Sequence, residues 1–156
     1  MKQFSDLQDL LVKVRELLGE DLYYLFLHDV SILVVDRGSI KTLGGCYKEK
    51  KIFVYDFRLD TFFHELGHHV FKHPKFSRFF HFRYLWDAFY NYQKQEASFL
   101  GHQAKCSLEE FFCQIFAIFF TDHEWLWSYD RKLYIELYKA IEEIIKTYRR
   151  GMEKNL

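Results

Sequence analysis

Six consecutive residues, His64-Glu65-Leu66-Gly67-His68-His69, carry the side chains best suited to chemistry in this chain. Residues four apart on an α-helix share a face and lie about 6 Å apart along the axis, so His64 and His68 can converge on a single Zn²⁺. Glu65 then stands beside the ion rather than on it. Two neutral nitrogen ligands and a free carboxylate able to take a proton from water are what metal-assisted hydrolysis requires, with Glu65 as the general base. The same short pattern also arises by chance on surface helices that merely face solvent, so the neighbouring elements decide between the two readings.

Those elements favour chemistry. Lys51 to Phe57 has the β-branched and aromatic content of a buried strand, and Asp60 reads as the N-cap of a helix running through Thr61, Phe62 and Phe63. Pro74 ends that helix just beyond the motif. Both histidines therefore fall mid-helix, with Phe63, Leu66, Val70 and Phe71 to bury its remaining surface. A catalytic zinc site uses three protein ligands, so a third must come from elsewhere in the chain. The best segment is Ser107 to Phe116, where Glu110 is the leading candidate and Glu109 the second choice. Ser107 with Glu110 also matches a capping box, in which the Glu would only satisfy the helix start.

With 156 residues, one proline and seven glycines, the chain reads as one domain, residues 1–156, with no linker or repeat. Phe is unusually abundant, at 18 residues, which implies an aromatic core. The 22 basic and 22 acidic residues cancel, so no global field attracts nucleic acid or an anionic membrane, and neither is expected as a partner. Met1 to Gly19 places Leu7, Leu10, Leu11, Val14, Leu17 and Leu18 at helical spacing, the pattern of an amphipathic helix and not of a secretory signal. The most apolar run, Phe111 to Phe120, is too short to cross a bilayer. Cys46, Cys106 and Cys113 are odd in number and widely spaced, so no disulfide framework is expected. A cytoplasmic protein is the expectation, with delivery by a separate machinery leaving no mark in such a sequence. Nothing in the chain specifies an oligomeric state.

After the first helix, Leu22 to His28 and Ser31 to Val35 read as strands, with a turn around Arg37-Gly38-Ser39. Thr42 to Tyr47, broken by Gly44-Gly45, and Lys51 to Phe57 read as two more. Everything after Pro74 reads as helical: Phe76 to about Phe99, Leu108 to Phe120, His123 to Trp127, and Arg131 to Arg149 with Ser128 or Asp130 near its start. Strands first and helices later indicate an α+β fold. His69 and His73 also stand four apart on a rotated face, as a second metal pair or as partly exposed residues that complement the helix dipole; the second is the expectation. Phe71 to Tyr92 interleaves aromatics with Lys72, Lys75, Arg78 and Arg83, but helical core spacing accounts for the aromatics without nucleic acid.

Taken together, His64-Glu65-Leu66-Gly67-His68 with its preceding strand, Glu110-Phe111-Phe112 with Phe116, and Thr121-Asp122-His123 before a final helix resemble the catalytic domain of anthrax lethal factor and its relatives, which include the Pro-Pro endopeptidases. The resemblance spans roughly Gly44 to the C-terminus. It implies a single zincin-like metalloprotease domain, a small sheet whose edge strand lies over the active-site helix, His64, His68 and Glu110 as zinc ligands, and Glu65 as catalytic base. Two positions depart from the family pattern. Relatives carry a Tyr seven residues before the ligand Glu, where this chain has Gln103; Gln103 through its amide or the adjacent His102 as imidazolium can donate to an oxyanion instead. Gln114 stands where relatives often have a Glu supporting a zinc-bound His; its amide oxygen can still accept the imidazole N–H, with less gain in ligand basicity.

The expected activity is zinc-dependent cleavage of a peptide or protein held as an extended strand along the Thr42 to Tyr55 region, with Gly44 and Gly45 permitting close approach or simply forming a hairpin turn. Two other readings fit the motif helix: a regulatory protease of the phage-repressor-cleaving type, and an inactive zincin-like binding module. The presence of Glu65 speaks against the last, because a purely structural ion has no use for a base.

Overall fold

Asp6 opens the first helix, α1 (Leu7–Leu18), by accepting the Asp9 N–H at 2.9 Å, and the apolar stripe read from the sequence buries Leu10, Val14 and Leu18. The computed structural model describes residues 3–36 and 45–154. Gly19 stops α1 at φ 83°, a left-handed value that side chains resist, and donates back to Arg15 O at 2.9 Å. The chain then re-enters a helix, α2 (Glu20–Leu27), where a strand was expected from Leu22 to His28. The alternating aromatic and aliphatic residues look strand-like. What decides the outcome is that Leu22, Leu25 and Phe26, at helical spacing, bury together in the core.

Three short strands follow: β1 (Ser31–Val34), β2 (Gly45–Lys48) and β3 (Lys51–Val54). They form one sheet in the order β1-β3-β2, with β1 parallel and β2 antiparallel to the central β3. The expected turn at Arg37-Gly38-Ser39 and the start of the Thr42 strand lie outside the described residues. β2 and β3 are joined by Glu49 and Lys50, at φ 53° and 64°. A two-residue hairpin demands such left-handed values, costing about 1–2 kcal/mol per non-glycine residue, and no Asn-Gly marked this one in advance. Lys50 offsets part of that cost by donating its N–H to Tyr47 Oη at 3.2 Å and accepting from Ser31 N at 2.9 Å. In such a hairpin the Lys48 and Lys51 pair exchanges hydrogen bonds, so at the next pair, Tyr47 opposite Ile52, the main-chain groups of β2 point away from β3.

The motif helix is α3 (Leu59–Lys72). Its N-cap is Arg58, not Asp60; Asp60 sits in the first turn, accepts from Thr61 N at 2.9 Å and pairs with Arg58 Nη2 at 3.0 Å. Pro74 does end α3, and its fixed φ also starts α4 (Pro74–Phe80), for which His73 is the cap. The long helix expected from Phe76 to Phe99 is two, α4 and α5 (Arg83–Lys94), separated at His81 and Phe82. A one-turn 3-10 helix (His102–Lys105) leads into α6 (Leu108–Thr121), α7 (His123–Tyr129) and α8 (Arg131–Lys154). The fold is thus mixed, mostly helical, with one small sheet. Among the described residues no helix is long and apolar enough to cross a membrane.

The buried residues join in one aromatic-rich cluster. Phe63 of α3 stacks on Phe120 of α6 at 5.3 Å between ring centroids, and Phe116 meets Phe26, Phe63 and Phe112. α3 and α6 approach closely because Gly67 faces Cys113: a β-carbon on Gly67 would stand 3.0 Å from Cys113 Cα. That close approach brings the chemistry-bearing residues of the two helices together.

Candidate metal centre

His64 and His68 lie one turn apart on the face of α3 turned to α6, with ring centroids 5.1 Å apart. His64 Nε2 is 3.1 Å from Glu110 Oε2, and His68 Nε2 is 3.3 Å from Glu110 Oε1. The opposite ring nitrogens also have partners. His64 Nδ1 is 3.1 Å from Gln114 Oε1, and His68 Nδ1 is 3.1 Å from Glu109 Oε2, a carboxylate oxygen that also lies 3.8 Å from Lys72 Nζ. Because an amide oxygen and a carboxylate only accept, each Nδ1 must carry its proton. Both Nε2 lone pairs in the neutral rings then converge on the two oxygens of Glu110, an arrangement that repels unless a proton or a cation lies between them.

The two gaps to Glu110 are of the size that a shared cation would give. Donors about 2.0–2.1 Å from a tetrahedral ion stand about 3.3 Å apart, close to the two observed gaps. The Nδ1 partners are those that orient ligating imidazoles. Glu110 and Glu109 therefore take different positions: Glu110 faces both Nε2 atoms, while Glu109 lies behind His68. The capping box is half made, since Ser107 Oγ accepts the Glu110 N–H at 3.1 Å while the Glu110 carboxylate turns to the histidines. Among the described residues, the trio here whose donor atoms all lie within 4.8 Å of one another is His64, His68 and Cys113, which the sequence did not suggest, whereas Glu110 meets each ring with a different oxygen. Cys113 is fully buried beside Gly67, and burial, with Glu110, Glu109 and Glu65 nearby, pushes its thiol well above the ordinary value.

Glu65 projects beside this cluster. Burial raises its carboxyl above the ordinary range, against the pull of His64 and His68, and it accepts a hydrogen bond from the Tyr47 main-chain N–H. That donor belongs to the outward-pointing pair on edge strand β2, so the hairpin register sets the orientation of Glu65. Burial opposes a charge on His64, but Glu110, Glu65 and Gln114 together outweigh it and favour the imidazolium; Glu110 is held below the usual carboxylate range, first by its hydrogen bond to His64. His102 and Gln103 are both exposed on the 3-10 turn, and no described hydrogen bond or ion pair links either side chain to His64, His68 or Glu110.

Of the second histidine pair, His73 is partly exposed as expected and His69 is not. His69 is only 1 % exposed, so it is not a solvated dipole partner, and burial lowers its pKa. Its Nε2 lies 3.2 Å from Asp29 Oδ1, its Nδ1 lies 3.0 Å from Tyr47 Oη, and His73 Nε2 is 3.3 Å from Asp29 Oδ2. Asp29 sits between α2 and β1, and neither it nor Tyr47 carried a local signal, because their partners are remote in sequence.

No protein-family model, curated protein or solved structure matches this chain.

Proposed function

We propose that this chain is a zinc-dependent endopeptidase with a zincin-like active site, as its resemblance to the lethal factor catalytic domain implies. The observation that carries the reading is the pair of Nε2 atoms of His64 and His68 facing separate oxygens of Glu110, each ring's Nδ1 turned to its own acceptor, with the Glu65 carboxylate alongside. Zinc bound there would supply Lewis acidity and bring the pKa of water toward neutrality.

The remaining work falls to the chain's own residues. His64, His68 and Glu110 would hold the ion, while Gln114 and Glu109 would keep the imidazoles in the ligating tautomer. Glu65, with its carboxyl raised by burial, takes a proton from the attacking water and returns it to the leaving amine. Tyr47 N–H steadies Glu65 in both steps. The outward main-chain groups of Gly45 and the Tyr47 carbonyl are the part of β2 on which an extended peptide would lie. His102 or Gln103 is the proposed donor to the oxyanion.

The deciding experiment is metal content of protein purified without added zinc, followed by peptide-library cleavage with Glu65→Gln as control. Zinc bound to the wild-type chain, with cleavage lost by about 10²-fold or more in Glu65→Gln and zinc retained, is the expected result. Zinc without cleavage would favour an inactive binding module. Cleavage confined to a folded regulatory protein, with the peptide library untouched, would favour the repressor-cleaving type.

A further inference from the structure

We propose that Asp29, His69 and His73 form a second divalent-cation site of the zinc class, distinct from the one between α3 and α6. One donor atom from each residue lies within 4.8 Å of the others. The Asp29 carboxylate faces the two rings with one oxygen each, at 3.2 Å from His69 Nε2 and 3.3 Å from His73 Nε2. These gaps match the separation of about 3.3 Å between ligands of a tetrahedral ion bound at about 2.0–2.1 Å. Two imidazoles and a carboxylate suit zinc better than calcium or magnesium, which take oxygen ligands.

A second, independent observation points the same way. His69 Nε2 and Asp29 Oδ1 are both buried, and neither has a hydrogen-bond partner of ordinary geometry although they stand 3.2 Å apart. Such a buried pair costs about 1–3 kcal/mol per unsatisfied group, and an ion accepting both lone pairs removes that cost. Tyr47 Oη, 3.0 Å from His69 Nδ1, can accept its proton and leave Nε2 free to ligate. Two features set the affinity. The Lys50 ammonium, 3.8 Å from Asp29 Oδ2, competes with a cation but is 61 % exposed on a flexible stem and can swing into solvent. His73 Nδ1 accepts a long bond, 3.3 Å, from Lys75 N, which ligation through Nε2 would give up. His73 is therefore the weakest of the three ligands.

An ion here would tie the segment between α2 and β1 to the end of α3 and, through Tyr47, to edge strand β2. It is a structural site.

The test counts zinc by equilibrium dialysis of metal-free protein against Zn²⁺ alone, without reference to activity. In His64→Ala/His68→Ala, which disables the first site, one equivalent should remain and should raise the melting temperature. Adding Asp29→Asn or His73→Asn, the latter keeping a residue that can cap α4, should remove both the equivalent and the shift while leaving the circular dichroism spectrum unchanged. Asp29→Asn alone in the otherwise unaltered chain should lower the count by one, so the result stands whether or not the first site binds zinc and whether or not the double variant folds. The proposal is overturned if the double variant folds and binds no zinc, or if Asp29→Asn leaves the count unchanged.

Discussion

Gly67→Ala puts the closest helix contact near the candidate centre to a quantitative test. The added β-carbon would stand 3.0 Å from Cys113 Cα and 3.3 Å from both its Cβ and Sγ. Ordinary carbon contacts lie at about 3.5–4.0 Å, so α3 and α6 must separate by roughly 0.5–1 Å. Overpacking of this kind costs about 1–3 kcal/mol, against a gain of about 1 kcal/mol from the better helix propensity of Ala. The net loss of fold stability is therefore about 0–2 kcal/mol. The ligands respond more sharply, because His64 and His68 ride on one helix and Glu110 on the other, and metal distances tolerate only about 0.2 Å. We expect urea unfolding of the metal-free protein to show the small stability loss, and competition with a chromophoric chelator to show zinc affinity reduced by about 10-fold or more. Cys113→Ala should not rescue it, since the shortest contact is to the main chain. A Gly67→Ala protein that is more stable by about 1 kcal/mol and binds zinc as tightly as before would refute the argument.

Three further outcomes are expected. Glu110→Ala should lose one equivalent of zinc by elemental analysis, while Glu109→Ala, which removes only the acceptor behind His68, should keep it with affinity lowered by about 10–100-fold; the reverse order would exchange their roles. His102→Ala should lower kcat by about 10²-fold at unchanged zinc content if its imidazolium serves the oxyanion, with Gln103→Ala mild, and a severe defect in Gln103→Ala alone would transfer the role. Tyr84 donates to both oxygens of Asp130, at 2.9 and 2.8 Å, and burial together with that carboxylate pushes its phenol up to about 12. The folded chain thus holds the phenolic proton more tightly than the unfolded one, so this contribution is complete below pH about 10 and declines from there to about 12. Tyr84→Phe should flatten that part of the denaturation profile, and an unchanged slope would show that the pair contributes nothing.

What the sequence determined on its own is what helical and strand periods encode locally. The spacing of His64 and His68, the placement of Glu65 beside them, the strand at Lys51 and the apolar stripe of α1 depend only on neighbours within a turn or two. Resemblance added the partner role of Gln114, which the structure places 3.1 Å from His64 Nδ1. Tertiary structure decided the rest. Leu22 to His28 became a helix because one face could be buried, a fact about the core and not about the segment. Glu109 and Glu110 are adjacent and chemically alike, and only the packing of α6 on α3 turns Glu110 to both imidazoles and Glu109 behind one. The orientation of Glu65 depends on a hairpin register, and the company of His69 depends on Asp29 and Tyr47, which reach it from other elements. Side-chain pairs remote along the chain leave no periodic trace in it, because their meeting is set by how whole elements dock.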